Sequence, residues 1–236
     1  MFIRVLKHEM KNILRDKMYL FFMVYPIIIG IVAYYLIPYL RTEVGLLVAN
    51  IVALVIVLMT SFMFGAITGF TLLDDQDDNV LFSLKITPIK VSHYVGIKLL
   101  FSYVLGFLAT FLLVYITKLF ESSVLNMIGI SLLAALQAPM LALFINAFAS
   151  NKVEGFVFMK ATGILVMIPI ASLFLTNWTE LFLGIIPGFW AARLVSMSLI
   201  PSDYLLNEFW YYVLGFIVNG LLIYVLFKKY KQRVQI

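Results

Sequence analysis

The sequence predicts an all-α integral membrane fold with six transmembrane helices, on three observations. Of 236 residues, 64% are hydrophobic and only 12% charged, too few polar groups to cover a water-soluble globule. The charged residues punctuate the chain and leave long uncharged runs, each at or near the ~20 residues that a ~30 Å hydrocarbon slab requires. Those runs do not alternate in polarity, which excludes a closed barrel, the other way to satisfy a backbone in lipid.

The elements follow in order. In residues 1–17, Ile3, Leu6, Met10, Ile13 and Leu14 share one helical face, with Arg4, Lys7, His8, Lys11 and Arg15 elsewhere. That is the pattern of an amphipathic helix lying on the membrane surface; a plain extension of the first span is the alternative. The spans are 18–40, 44–73, 99–117, 122–151, 161–179 and 209–227, and none of these six cores holds an acidic or basic residue. Residues 74–98 connect the second and third spans, and residues 180–208 the fifth and sixth. The latter stretch is apolar but broken by Pro187, Gly188 and Pro201. A straight crossing there would spoil the even count, so a helical hairpin dipping into the outer leaflet is expected. The chain 1–236 reads as a single transmembrane domain.

Six spans put both termini on one side, and the basic residues say which. Arg4, Lys7, Lys11, Arg15, Lys17, Lys85, Lys90, Lys98, Lys152, Lys160, Lys228, Lys229, Lys231 and Arg233 fall on the terminal side, and only Arg41, Lys118 and Arg193 on the other. This bias orients both termini to the cytoplasm, with the chain multi-pass in the cytoplasmic (inner) membrane. Trp178, Trp190 and Trp210 cluster around the last outer loop, as an interfacial aromatic belt would. The net charge of +5 belongs to this asymmetry and does not call for a nucleic-acid partner.

Several chemistries are excluded. The chain has no cysteine, which removes disulfides, thiolate metal sites and thiol catalysis. No lysine follows a glycine, so there is no P-loop; His8-Glu9 opens like a zinc-protease motif, but Asn12 stands where its second histidine belongs. With no carboxylate in the span cores, a proton-driven relay is not expected, and the energy for any transport must come from elsewhere. One acidic cluster stands out. Asp74, Asp75 and Asp78 satisfy D-D-x-x-D, with Asp77 between them, a spacing that can present carboxylates to magnesium diphosphate. A membrane-embedded prenyl or lipid transferase is therefore the alternative function. Such enzymes generally carry a second acidic cluster, and none exists here.

After the aspartates, Val80, Leu81 and Leu84 give a short amphipathic helix capped by Asp78 or Asn79 and ended by Thr87-Pro88, with Lys90 beyond. This order of acidic residues, apolar helix, Thr-Pro and basic residue resembles the coupling-helix region of ABC-2 type permeases, the membrane subunits of ATP-driven exporters. The segment from Leu6 to Pro26, with Arg15-Asp16 before the first span, resembles their connecting helix; Asn151 to Lys160 and Ile186-Pro187 fit the same family. The resemblance covers nearly the whole chain and implies a division of labour. Asp74, Asp75, Asp77, Asp78, Leu81, Leu84, Thr87, Pro88 and Lys90 would couple to the ATPase. Two copies of a separate ATPase subunit would hold ATP and magnesium, this chain would bind no cofactor, and a second copy or a similar permease chain would complete the pathway within membrane lipid.

In the second span Asn50, Ser61, Thr68 and Thr71 recur near multiples of 3.6, with Phe64 between them and Gly65 and Gly69 beside them. Such a stripe either lines a pathway or packs helices, and Gln137 and Asn146 in the fourth span allow the same two readings. The candidate lining is Asn50, Ser61, Phe64, Thr68, Gln137 and Asn146. Without ionised groups it suits a hydrophobic or amphipathic cargo, a drug, an antibiotic or a lipid-like compound; that the chain is a non-catalytic permease for such a cargo is what the resemblance implies.

Overall fold

A computed structural model describes residues 2–86 and 90–234. Among them there is no strand, and six helical stretches are long and apolar enough to cross a membrane: Lys17–Val44, Leu46–Asp77, Val91–Thr117, Val124–Phe148, Lys152–Leu173 and Glu208–Val234. The α-helices are α1 Phe2–Arg15, α2 Lys17–Tyr39, α3 Leu46–Asp77, α4 Val80–Lys85, α5 Val91–Thr117, α6 Val124–Ala135, α7 Gln137–Phe148, α8 Lys152–Leu165, α9 Phe189–Leu199 and α10 Glu208–Val234. The all-helical, six-crossing expectation is borne out, together with the amphipathic first helix, the short helix between the second and third crossings and the hairpin between the last two.

Helix bounds and charge-bracketed bounds part at the terminal face, because a charge that finds a partner does not stop a helix. α3 runs on through Asp74 to Asp77, α5 begins at Val91, ahead of Lys98, and α8 begins at Lys152, ahead of Lys160. Side chains cap its start: Asn151 Oδ1 accepts from the Glu154 amide at 3.0 Å, and Glu154 Oε2 accepts from the Ser150 amide, one residue ahead of the cap, at 2.7 Å. The crossing helices outrun the charge-free cores, and two charges just beyond those cores, Lys98 and Asp75, are buried.

α3 is the central column. It packs along α7, α5 and α2 and is buried over most of its length. Its glycines set the spacing: a Cβ on Gly65 would lie 2.6 Å from the Ala138 carbonyl oxygen, and one on Gly69 would lie 2.9 Å from Ile145 Cδ1. The pair is therefore a close-approach seam between α3 and α7, the packing use of small residues four apart. The fourth crossing breaks at Leu136, between α6 and α7. Pro139 explains the break, since it offers no N–H and its ring crowds the carbonyl four residues back, at Ala135.

The hairpin descends through a 3₁₀ helix, Trp178–Ile185, turns at Pro187-Gly188, and returns as α9. Gly188 has φ +89°, and a Cβ there would lie 3.0 Å from Gln137 Oε1 and 3.4 Å from Leu58 Cδ2. Gln137 and Leu58 lie midway along their crossings, so the turn reaches deep into the bundle. An ion pair holds it. Arg193, counted from sequence with the loop charges, is fully buried; its guanidinium donates to Glu180 Oε2, to the Leu175 carbonyl and to the Ser172 carbonyl, the last at 2.8 Å. Tyr211 of α10 donates to the other Glu180 oxygen, and Trp190 Nε1 donates to the Gly184 carbonyl at 2.8 Å.

Breaking one member of a buried pair strands the other. Arg193→Ala is expected to destabilise the protein by about 3–5 kcal/mol, while Arg193→Met with Glu180→Leu recovers much of that loss. Thermal unfolding of the purified variants in detergent checks the difference.

Candidate coupling and binding sites

The α4 segment is seated by one residue. Asn79 makes the corner with φ 56°, a left-handed conformation that asparagine tolerates, although its side chain makes no capping bond. Leu81, 2% exposed, turns inward onto Leu72, Val91, Val95, Leu99 and Tyr230, and Leu84 packs partly against the same group. The outward apolar surface instead belongs to Phe82 and Ile86, 62% and 91% exposed, with the Lys85 ammonium 4.8 Å from the Phe82 ring centre. The sequence pattern picks the helix, but Leu81 meets the bundle rather than the outside, because six residues are too few for periodicity to fix which side faces inward. Lys90 is exposed at the start of α5. Thr87 and Pro88 lie outside the described residues.

The four aspartates go separate ways. Asp77 and Asp78 face outward. Asp74 accepts from the Tyr19 hydroxyl and pairs with Lys152 at 2.7 Å, joining the starts of α2 and α8 to the end of α3. Asp75 turns inward to Lys98 at 2.7 Å and accepts from the Tyr94 hydroxyl at 3.0 Å. Two of the three carboxylates in D-D-x-x-D are thus committed to protein cations, and among the described residues no three His, Cys, Asp or Glu side chains converge as a metal site.

Lys98 is the centre of a buried cluster that sequence reading passed over. Its ammonium lies 2.7 Å from Asp75, 2.9 Å from Glu9 Oε2 and 3.3 Å from the Thr71 carbonyl, so its three donors meet three acceptors. Glu9 Oε1 in turn accepts from the Thr71 hydroxyl at 2.6 Å. One cation thereby clamps α1 to α3 and α5. Within α1, Glu9 and Ile13, four residues apart, are buried while Leu14 is exposed. At the junction of α1 and α2, Arg15 is exposed, and Asp16 Oδ1 caps α2 by accepting from the Met18 amide at 2.8 Å.

Two of the polar residues proposed from sequence as lining, Ser61 and Asn146, are joints between helices. Ser61 shares a hydrogen bond with Thr110 of α5 at 2.8 Å. Asn146 donates to the Gly69 carbonyl at 2.8 Å and accepts from Gln76 at 2.7 Å. Asn50, Phe64 and Thr68 are buried within the bundle. Gln137 differs: it is buried, its amide nitrogen and oxygen have no partner among the described residues, and it borders a cavity of about 230 Å³ between α7, α8, α10 and the hairpin.

Residues 9–227 match the family model described as fluoroquinolones export permease protein Rv2686c-like. The chain is 28% identical over 206 residues to fluoroquinolones export permease protein Rv2686c of Mycobacterium tuberculosis (strain H37Rv), an alignment spanning 86% of this chain and 75% of that protein. The same figures hold for fluoroquinolones export permease protein MT2760 of Mycobacterium tuberculosis (strain CDC 1551). No solved structure matches.

The cluster around Lys98 carries two anions and one cation, so its members are not equivalent. Lys98→Met leaves Glu9 and Asp75 facing each other without water and is expected to cost about 3–5 kcal/mol. Glu9→Gln leaves a neutral Lys98–Asp75 pair and costs less than half as much. Chemical denaturation of both variants in detergent, compared with the parent, reads the order; a costlier Glu9→Gln would contradict the clamp.

Proposed function

The chain belongs to the Rv2686c-like family of fluoroquinolones export permeases, and from that premise we propose that it is the membrane subunit of an ATP-driven, ABC-2 type drug exporter. In this reading it lies in the cytoplasmic membrane with both termini in the cytoplasm. It pairs with a second copy or a similar permease, and it carries hydrophobic or amphipathic compounds outward, fluoroquinolones among them. Two copies of a separate subunit bind and hydrolyse ATP with magnesium; this chain supplies no catalytic group and holds no cofactor.

The observation that supports the coupling is the orientation of α4. Phe82 and Ile86 face away from the bundle on the face that carries the termini, while Leu81 fixes the helix to α3 and α5. A push on the exposed pair passes through Leu81 into two crossing helices that Lys98 and Asp75 hold together, so the face moves as one body. Exposed carboxylates would add little binding energy beside buried apolar contact, since solvent-facing ion pairs contribute about 0–1 kcal/mol. The transferase alternative loses support from the commitments of Asp74 and Asp75 to lysines.

Phe82→Asp with Ile86→Asp is expected to insert in the membrane yet lose co-purification of the ATPase and fluoroquinolone efflux, because it places charge where apolar surface must match. Asp77→Asn with Asp78→Asn should retain both. Efflux lost in the asparagine variant and intact in the aspartate variant would overturn the coupling assignment.

Orientation has its own test. Single cysteines are easily placed in a chain that has none. Ser202→Cys should react with an impermeant thiol reagent in intact cells, and Ser83→Cys and Gln232→Cys only after lysis; reaction of Ser83→Cys in intact cells would reverse the topology.

A further inference from the structure

Gln137 stands at the break of the fourth crossing, 3% exposed, with neither amide atom hydrogen-bonded. An amide stranded in this way costs free energy that a leucine in its place would not. The cavity beside it is otherwise apolar, with Phe62, Met140, Phe144, Val166, Pro187 and Leu226 among its walls, and no charged side chain lines it among the described residues. Thr162, on the same wall, spends its hydroxyl proton on the Phe158 carbonyl at 2.7 Å. Three further wall residues, Leu165, Ile185 and Val225, are exposed on the flank of the crossing helices, so the cavity opens sideways rather than toward either end of the bundle.

We propose that this cavity is a drug-binding subsite entered from the membrane, in which Gln137, whose amide is packed beside the cavity, turns into it to make a two-point hydrogen bond to the ligand. The inference rests on the export reading and deepens it by naming the site and the ligand chemistry. An amide presents a donor beside an acceptor, and its complement is an acceptor beside a donor: a protonated carboxylic acid, a lactam or an amide. The acid O–H donates to Gln137 Oε1 while the acid carbonyl accepts from Nε2. A charged group is disfavoured, since the walls offer nothing to pair it. The bound portion is therefore neutral, with a compact apolar body filling about 230 Å³. Gly188 keeps the place open, because any side chain there would meet the Gln137 oxygen.

The test uses the full chain in lipid nanodiscs and two fluorescent probes in mildly acidic buffer, a fluoroquinolone and its methyl ester, which lacks the acid proton. Fluorescence anisotropy should show the parent protein preferring the acid by about tenfold or more, the scale of a buried hydrogen bond lost. Gln137→Leu should abolish that preference, with an unchanged or raised melting temperature that certifies its fold. Met140→Trp, which fills the cavity, should weaken both probes. Equal binding of acid and ester by the parent, or an acid preference that survives Gln137→Leu, would overturn the proposal. Loss in Met140→Trp without any acid preference would mark an acyl-chain slot and overturn it too. Efflux from cells carrying the parent chain and its ATPase separates the two readings: export intact with binding indifferent to Gln137 rejects the subsite alone, whereas a parent that neither binds nor exports rejects the export reading and the subsite with it.

Discussion

A lysine ammonium buried where water does not reach must be surrounded by acceptors, and the terminal half of this protein is organised by that requirement at Lys98. The cost of removing such a charge from water is several kcal/mol even after relaxation, and only close anions and full hydrogen bonding offset it. Asp75 supplies one anion from the helix before the α4 corner, and Glu9 supplies the other from a helix that would otherwise only float on the membrane surface. The contact therefore determines three placements together: how far α3 extends, where α5 starts relative to it, and which face of α1 points inward. α4 hangs from the same joint, because Leu81 shares one apolar cluster with Val95 and Leu99, which flank Lys98 on α5.

The opposite half obeys the same rule with different parts. A non-crossing segment inside the membrane has to satisfy backbone carbonyls that no regular helix takes up. Arg193 does this for the hairpin, donating to the Ser172 and Leu175 carbonyls as well as to Glu180. Its planar, forked donor set reaches several acceptors at once, which a lysine could not do. Tyr211 ties the pair to α10, so the hairpin is fastened to a crossing helix and its tip, Pro187-Gly188, is held against α3 and Gln137.

What the sequence disclosed and what it withheld divide along the same line. Long apolar runs state the crossings directly, because lipid leaves helices as almost the only solution, and Pro187, Gly188 and Pro201 betray the hairpin by breaking one such run. The seam at Gly65 and Gly69 was visible as spacing, but only the approach of Ala138 and Ile145 decides that it packs helices. Charges were harder to read. Positive-inside counting treats each lysine or arginine as a surface marker, which puts Lys98 and Arg193 in loops although both are fully buried. Pairing across Glu9 and Lys98 joins residues far apart in the chain, and no local period records it. Of the polar residues in the second and fourth crossings, pattern alone could not separate those with partners, Ser61 and Asn146, from Gln137, which has none.

These placements give the permease reading a mechanical route. α3 is a rigid column of about 48 Å at 1.5 Å per residue. One end carries α4, and the middle passes within backbone contact of Ala138, the neighbour of Gln137. A displacement at Phe82 and Ile86 cannot be absorbed where it arises, since Leu81, Asp75 and Lys98 fix that end to α5 and α1. It must appear where the structure is interrupted, and the break at Leu136 between α6 and α7 is such a place. There the close seam at Gly65 transmits movement of α3 to α7, while Tyr212, bonded to Asn126, ties α6 to α10 on the far side. Relative motion across the break changes the distance between α7 and α10, two walls of the cavity that Gln137 borders, so the same step that reaches the break would alter access to the unpaired amide.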